Sequence, residues 1–172
     1  MTNTDPTKVT MEVDPTLMRM SGYTAHGGLY FEVPFMSEIS HNLWQGGVRQ
    51  GLVLPKFISH IVSLYPWESY RHEHDLKSDL IVRMYDSLEQ SLNQVDDIAR
   101  WVNACRATGP VLVHCQAGLN RSSLVVARAL ILGEQYLPVE AIELIREKRS
   151  QACLCNEAFE QWILNAFPDL QG

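Results

Sequence analysis

The stretch of residues 111–132, which reads "VLVHCQAGLNRSSLVVARALIL", constrains the fold more than any other part of the chain. Its first five residues form a short apolar run that predicts a strand buried on both faces. Residues 122–132 are apolar on nearly all sides, which predicts a helix inside the core. The loop at 115–121 therefore joins a central strand to the N-terminus of a buried helix. Such a unit is typical of an α/β fold.

The remaining apolar segments extend this unit into a complete sheet with helical layers. Strands are predicted where short apolar runs end at turn residues, at 29–35, 41–47, 58–66 and 79–86. Helices are predicted from Leu92 until Gly109 and Pro110, from Pro138 onward, and after a cap at Asn156. The sequence thus predicts a single α/β domain. Its central sheet, mixed or parallel, has about five strands, with helices on both faces.

The polar start of the chain is interpreted as an extension of this domain. Residues 1–25 contain two prolines and no apolar block, so we expect them to be partly loose and held only by Leu17 and Met18. Residues 26–172 are expected to form the folded domain. The start does not resemble a secretory signal, and no apolar run approaches the length of a membrane span.

The four cysteines indicate free thiols and a cytoplasmic protein. Cys153 and Cys155 lack the spacing of zinc ligands, and His72 and His74 have no obvious third ligand, so no metal site is expected. Cys105, Cys153 and Cys155 are interpreted as packing thiols. The alternative is that one of them resolves an oxidised cysteine in the central loop.

The 115–121 loop has the chemistry of an oxyanion site. Helix N-termini attract anions because their first N–H groups lack partners and the helix dipole is positive there. Gly118 allows the loop to curl so that N–H groups converge, and Arg121 adds a fork of donors suited to two phosphate oxygens. The same positive field favours the reactive thiolate of Cys115. A sulfur beneath a bound phosphate predicts attack at phosphorus and a covalent thiophosphate.

Three further residues have predicted roles in this chemistry. Asp86 ends a predicted strand at the sheet edge where open α/β sheets bind ligands, so it is the predicted general acid and later general base. Asp75 and Asp79 are the alternatives for that role. Ser122 either assists the departing sulfur through its hydroxyl or simply starts the helix. His114 is expected to brace the loop and not to act as a base.

The segment "HCQAGLNRSS" resembles the H-C-x-x-G-x-x-R-[ST] signature of the cysteine-dependent protein tyrosine phosphatases. The segments "NLWQGG" and "AIELIREKRSQACLCNEAFEQWI" are similar to sequences of the dual-specificity branch, and the resemblance covers roughly residues 38–166. It implies Cys115 as nucleophile, Arg121 as phosphate ligand, Asp86 as acid and Ser122 as assisting hydroxyl. The implied phosphate-binding loop comprises Gln116, Ala117, Gly118, Leu119, Asn120 and Arg121.

Two positions depart from the pattern of that branch. Ser123 stands where glycine is usual, and Ser150 follows Arg149 where proline is usual. Neither position carries a reacting group, so the departures concern the closeness of the subfamily and leave the predicted chemistry unchanged.

The variable positions of the loop indicate a phosphorylated protein as the substrate. Gln116, Ala117, Leu119 and Asn120 carry no positive charge, and the formal net charge of the chain is −6. A polyphosphorylated lipid or a nucleic acid is therefore not expected as a partner. Phosphotyrosine is the leading substrate, with phosphoserine and phosphothreonine as further substrates. The loop is expected to hold an oxyanion such as phosphate, vanadate or sulfate, without a cofactor or a membrane partner.

Several other functions remain open from the sequence. The resemblance also extends to RNA 5′-phosphatases, which Asn120 supports, and to phosphoinositide phosphatases. A phosphatase-like module could instead bind phosphopeptides without turnover, and sulfur-transfer or arsenate-reducing enzymes use a similar loop. Residues 66–78 are interpreted as a solvated connection, with a substrate-facing surface as the alternative.

Overall fold

The computed structural model describes residues 14–165, which form two β-sheets and four helices. In chain order the elements are β1 (Arg19–Tyr23), β2 (Tyr30–Pro34), β3 (Met36–Ser40), β4 (Leu43–Gly46), β5 (His60–Ser63), β6 (Ser78–Ile81), α1 (Val95–Arg106), β7 (Val111–His114), α2 (Arg121–Glu134), α3 (Pro138–Lys148) and α4 (Glu157–Asn165). The larger sheet has the order β3-β4-β7-β5-β6, and only β3 runs antiparallel to its neighbour. The predicted α/β class and the mixed five-stranded sheet are confirmed.

Strand β7 lies at the centre of the larger sheet, as predicted. All four of its residues are buried, and β4 and β5 flank it in parallel. Gly46 and Ser63 both stand opposite His114, so the carboxyl ends of three strands meet beside Cys115. Helix α2 begins at Arg121 and is buried through most of its length, which confirms the predicted core helix. The strand–loop–helix unit therefore opens at the carboxyl edge of the sheet.

The helices are distributed differently from the expectation of helices on both faces. Among the described residues, buried side chains of all four helices belong to one cluster with Val111 and Val113. Leu112 points to the opposite face and packs with Leu52 and Ile58 of the segment between β4 and β5. That loop segment is apolar enough to cover the second face, so no helix is needed there.

The hairpin of β1 and β2 is only half predicted by the sequence. Strand β2 coincides with a predicted strand, whereas β1 lies in the segment expected to be partly loose. Of the two residues expected to hold that segment, Leu17 is 76% exposed, whereas Met18 packs against the core, as Met20 does. The hairpin crosses the boundary predicted between residues 25 and 26, and residues 1–13 lie outside the described part. The division into extension and domain stays a prediction.

The predicted helix starts at Pro138 and after Asn156 are confirmed. Helix α3 begins at Pro138, and Oδ1 of Asn156 accepts from the backbone N–H groups of Ala158 and Phe159 at 3.1 and 3.4 Å. The four cysteines are free thiols. Within residues 14–165 no helix combines the length and the apolar character needed to cross a membrane.

Candidate active site

The loop after β7 lines a cavity of about 370 Å³ at the carboxyl edge of the sheet. Cys115, Arg121 and Asp86 all line this cavity, so the structure brings together three side chains that the sequence assigned to one reaction. The full lining is Met20, Tyr23, Thr24, Ala25, Phe31, Val48, Glu68, Asp86, Cys115, Gln116, Ala117, Leu119, Asn120 and Arg121.

The carbonyl groups of the loop are held by the surrounding protein. The carbonyls of Gln116 and Leu119 accept hydrogen bonds from the amides of Val48 and Leu154 at 3.0 and 2.9 Å. Those of Ala117 and Gly118 accept from side chains behind the loop. The amides of residues 116–120 donate to no acceptor within residues 14–165. Because a trans peptide directs its N–H opposite to its C=O, these amides remain available to an oxyanion.

Arg149 holds the loop on the side away from the cavity. Its Nε donates to the Gly118 carbonyl at 2.7 Å, and its Nη2 donates to the Ala117 carbonyl at 3.0 Å. Its Nη1 donates to the Pro34 carbonyl and to Oγ of Ser37 at 2.8 and 3.0 Å. Burial lowers the pKa of Arg149, while the Cys153 and Cys115 thiols act in the opposite direction. This guanidinium therefore fixes the curvature of the loop and ties it to the start of the larger sheet.

Gly118 is required where Arg149 meets the loop. Its φ is +71°, in the left-handed region that favours glycine. A Cβ at this position would lie 2.4 Å from the carbonyl carbon of Gly46 and 2.6 Å from Nη2 of Arg149. Any side chain would push the loop off its support.

Gln45 supports the loop and the start of α2 from β4. This fully buried amide donates from Nε2 to the Gly118 carbonyl at 3.0 Å, and the same nitrogen lies 3.2 and 2.6 Å from Oγ of Ser122 and Ser123. Ser123, which departs from the family pattern, is thus part of the supporting network.

Cys115 and Ser122 lie within hydrogen-bonding distance. The sulfur of Cys115 is 3.3 Å from Oγ of Ser122, and the Cys115 residue is 2% exposed. The protonated thiol donates to this hydroxyl oxygen, and when the sulfur is ionised the hydroxyl can turn its own proton toward it. The arrangement can stabilise negative charge on the sulfur.

Arg121 enters the cavity from the first turn of α2. Its Nη1 donates to the Met84 carbonyl at 3.1 Å, and its guanidinium lies 5.1 Å from the centre of the Tyr65 ring. Its buried Nε has no hydrogen-bond partner among residues 14–165. A buried guanidinium whose Nε has no protein partner can donate to an oxygen of a bound anion.

Three donors fix the carboxylate of Asp86. Its Oδ1 lies 2.9 Å from Nδ2 of Asn156 and 3.1 Å from Nε2 of His26, and its Oδ2 accepts from Nδ2 of Asn120 at 3.0 Å. The strand predicted at 79–86 ends at Ile81, so Asp86 lies in the loop after β6.

The two alternative acids lie elsewhere. Asp75 and Asp79 are exposed, and neither lines the cavity. Glu68 does line the cavity, so part of the loop at 66–78 faces the candidate site. The interpretation of that loop as only a solvated connection is therefore incomplete.

His114 lies behind the reactive loop and is almost fully buried. Its Nδ1 donates to the Cys115 carbonyl at 3.2 Å. Burial lowers the pKa of His114 to about 4 in spite of that hydrogen bond, and the positive charge of Arg121 acts in the same direction as burial. A neutral ring is suited to the bracing role and not to that of a cation in the site.

Sequence reasoning missed the roles of Gln45, Arg149 and His26. Arg149 entered only as part of a family motif, and His26 lies in a segment with no strong pattern. The signal for Gln45 was its position: an amide side chain near the end of the short strand predicted at 41–47. No group of three or more His, Cys, Asp or Glu side chains in the described part of the chain is arranged to hold a metal ion.

Comparisons with known proteins address the family and the fold of the chain. The family model described as "Dual specificity phosphatase, catalytic domain" matches residues 57–168. Among solved structures, human DUSP28 has a TM-score of 0.66 at 18% identity, covering 76% of this chain and 90% of its own.

Two further structures have the same fold. The human tyrosine phosphatase-like serine/threonine/tyrosine-interacting protein gives a TM-score of 0.63 at 18% identity, with 74% and 92% of the two chains covered. The PTP-2 phosphatase of Cydia pomonella gives 0.58 at 17% identity, with 78% and 93% covered. These likenesses show the fold, and the family model matches more than half of the sequence. The chain therefore belongs to the dual specificity phosphatase family, as the signature around Cys115 had indicated.

Proposed function

We propose that this chain is an active phosphoprotein phosphatase that works through a cysteinyl-phosphate intermediate. The observation that carries the proposal is the single cavity that Cys115, Arg121 and Asp86 share with the 115–121 loop, whose carbonyls from Gln116 to Leu119 are all held by the surrounding protein. The free amides and the guanidinium would bind the three non-bridging oxygens of a phosphate monoester.

In the first step the Cys115 thiolate attacks phosphorus. The phosphorus–oxygen ester bond breaks, and the leaving oxygen takes a proton from Asp86. In the second step water attacks the phosphocysteine, and the Asp86 carboxylate takes the proton of that water. The phosphorus–sulfur bond breaks, and the hydroxyl of Ser122, 3.3 Å away, stabilises the departing thiolate.

The cavity favours a phosphorylated protein side chain as the substrate. Arg121 is the only cationic side chain in its lining among the described residues, and Glu68 and Asp86 are acidic. A polyphosphorylated headgroup would meet repulsion from these carboxylates. Tyr23 and Phe31 offer apolar surface to an aromatic ring, which supports phosphotyrosine as the leading substrate. The cytoplasmic setting rests on the sequence alone and stays a prediction.

Asn120, the one residue that supports the RNA 5′-phosphatase alternative, makes hydrogen bonds within the protein. Asn120 donates to the Asp86 carboxylate at 3.0 Å, and its Oδ1 accepts from the Asn156 amide at 2.9 Å. These bonds give Asn120 a role inside the protein.

A non-catalytic phosphopeptide-binding module is the second candidate. One structural relative is itself named a phosphatase-like interacting protein. The presence of Cys115, Arg121 and Asp86 in one cavity favours turnover in this chain.

Hydrolysis of p-nitrophenyl phosphate by the full chain tests the proposal. Wild-type protein should release p-nitrophenol, Cys115→Ser should release none above background, and Cys105→Ser should keep the wild-type rate because Cys105 lies on α1 outside the cavity. Acid quenching during turnover should trap a phosphoryl group on Cys115, detectable by peptide mass spectrometry. Inactive wild-type protein that still binds a phosphotyrosine peptide would favour the binding module, and hydrolysis by Cys115→Ser would exclude the sulfur nucleophile.

A further inference from the structure

The N-terminal hairpin contacts the candidate general acid. His26 lies in the turn between β1 and β2, and its Nε2 is 3.1 Å from Oδ1 and 3.2 Å from the backbone carbonyl oxygen of Asp86. A carbonyl oxygen can only accept, so Nε2 is the ring nitrogen that carries the proton. His26 therefore donates to Asp86 from a segment 60 residues earlier in the chain.

The turn that carries His26 is well fixed. Oγ1 of Thr24 donates to the His26 carbonyl at 2.7 Å and accepts from the Leu29 amide at 2.9 Å, while the Thr24 amide donates to the Leu29 carbonyl at 2.8 Å. Gly27 and Gly28 adopt φ values of +84° and +59°, which close the turn without strain. The backbone that carries the His26 imidazole is therefore held in one conformation.

The hairpin is also built into the wall of the cavity. It and its turn supply five of the lining residues: Met20, Tyr23, Thr24, Ala25 and Phe31. A Cβ on Gly47 would lie 2.6 Å from Sδ of Met20, so the hairpin packs directly against the end of β4. His26 therefore acts from an element that belongs to the site.

The contacts of Asp86 distinguish its two carboxyl oxygens. Oδ1 accepts from His26 and Asn156, which uses both of its lone pairs, whereas Oδ2 accepts only from Asn120. An ionised carboxylate offers about four lone-pair positions, two on each oxygen. The remaining position is on Oδ2, which is where a transferable proton would sit.

We propose that His26 is a positioning residue for the acid step. By occupying Oδ1 it holds the carboxyl group in one orientation and leaves Oδ2 to carry the proton to the leaving oxygen. This inference rests on the proposed phosphatase function, and it gives the hairpin a part in the reaction.

The test compares two esters that differ in their need for an acid. p-Nitrophenol is a good leaving group and phenol a poor one, so loss of acid positioning should affect phenyl phosphate selectively. His26→Ala should lower kcat/KM for phenyl phosphate about tenfold and for p-nitrophenyl phosphate less than about twofold. His26→Gln, whose amide nitrogen can replace Nε2, should restore most of the loss. In an Asp86→Asn background, His26→Ala should cause no further loss.

The matched control is Glu32→Gln, which removes the ion pair between Glu32 and Arg19 on the exposed side of the same hairpin. It should leave the ratio of the two rates unchanged. His26→Phe, which lacks the donor but fills space, replaces His26→Ala if the alanine variant does not fold.

Two results would overturn the proposal. Equal losses for both esters, or the same loss with and without Asp86, would make His26 a purely structural residue while leaving the phosphatase function intact. Absence of Cys115-dependent hydrolysis in the wild-type protein would overturn the phosphatase function and this inference together.

Discussion

The two sides of the 115–121 loop each hold a buried arginine, and the two arginines differ in what they bind. Arg149, behind the loop, directs Nε and both Nη atoms to protein oxygens at 2.7–3.0 Å. Arg121, on the cavity side, donates from Nη1 to Met84 and has a buried Nε without a partner in residues 14–165. Both residues are 7% exposed, so burial alone does not distinguish them.

The difference shows how a supporting cation can be told from a ligand-binding one. Burying a charge costs several kcal/mol unless hydrogen bonds and opposite charge compensate it. The protein compensates Arg149 with four acceptors, which makes the guanidinium part of the fold. Arg121 is compensated less completely, which leaves donor capacity for a bound anion. Substitutions at the two positions should therefore change different properties.

Arg121→Lys should give the largest change, and the change should be in rate. Lysine keeps the charge but loses the planar fork that can bind two oxygens at once. We expect kcat/KM for p-nitrophenyl phosphate to fall about 10³-fold, with the free energy of unfolding changed by less than about 1 kcal/mol. Steady-state kinetics and urea unfolding measure the two quantities. A variant that keeps a tenth of the activity would contradict the role of Arg121.

Arg149→Met should give the next largest change, this time in stability. The substitution fills similar space but leaves the carbonyls of Pro34 and Ala117 without a side-chain donor and the Gly118 carbonyl with Gln45 alone. We expect the free energy of unfolding in urea to fall by about 3 kcal/mol.

The control for Arg149 is Arg146→Met, in the last turn of α3, which ends one residue before Arg149. Arg146 is about a third exposed, pairs with Glu160 and donates to one carbonyl, that of Cys153, at 3.0 Å, so its loss should cost only about 1 kcal/mol. Equal losses of stability at positions 146 and 149 would show that the hydrogen bonds from Arg149 to the loop stabilise the fold no more than the contacts of Arg146 do. The comparison between the two sides of the loop would then fail.

The residues that the sequence identified are those that one short segment can reveal. Cys115, Arg121 and Ser122 fall within eight positions, and the apolar runs on either side define β7 and α2. Asp86 was inferred from the additional rule that strand ends converge at one edge of a sheet, although it lies in the loop after β6 and not on the strand.

The residues that the sequence missed act across long separations. Arg149 reaches Gly118 over 31 residues, His26 reaches Asp86 over 60, and Gln45 reaches Gly118 over 73. Periodicity reports which face of an element is buried, but it does not report which distant polar group lies opposite. The supports of the loop therefore became visible only in the folded structure.

The sequence did not predict strands β1 and β3. Strand β1 alternates between exposed and half-buried residues and contains Gly22, and β3 has a single β-branched residue, Ile39. Neither strand carries the apolar run that marks β7. Within residues 14–165 the four helices pack on one face of the sheet for a related reason, since a loop segment rich in buried apolar residues covers the other face.

The smallest expected effect concerns His114, where burial and, to a lesser extent, the charge of Arg121 disfavour a second positive group. The pKa of His114 falls from 6.5 to about 4 in the folded protein. The unfolded chain therefore binds a proton first as the pH falls, so stability present above about pH 6.5 is lost as the pH decreases toward 4. Between pH 7.5 and 5 this residue alone should lower the free energy of unfolding by about 2 kcal/mol.

His114→Asn isolates this contribution, because asparagine can still donate to the Cys115 carbonyl but does not titrate. The pH dependence of urea unfolding should be weaker in this variant than in the wild type by about 2 kcal/mol over the same interval. His60, whose pKa is also lowered by burial and by Lys77, contributes equally to both proteins and cancels in the difference. His72→Asn, at an exposed position, should keep the full wild-type dependence. If the free energies of unfolding of His114→Asn and wild type fall in parallel with pH, protonation of His114 does not destabilise the fold. The region behind the loop would then accept a positive charge, contrary to this prediction.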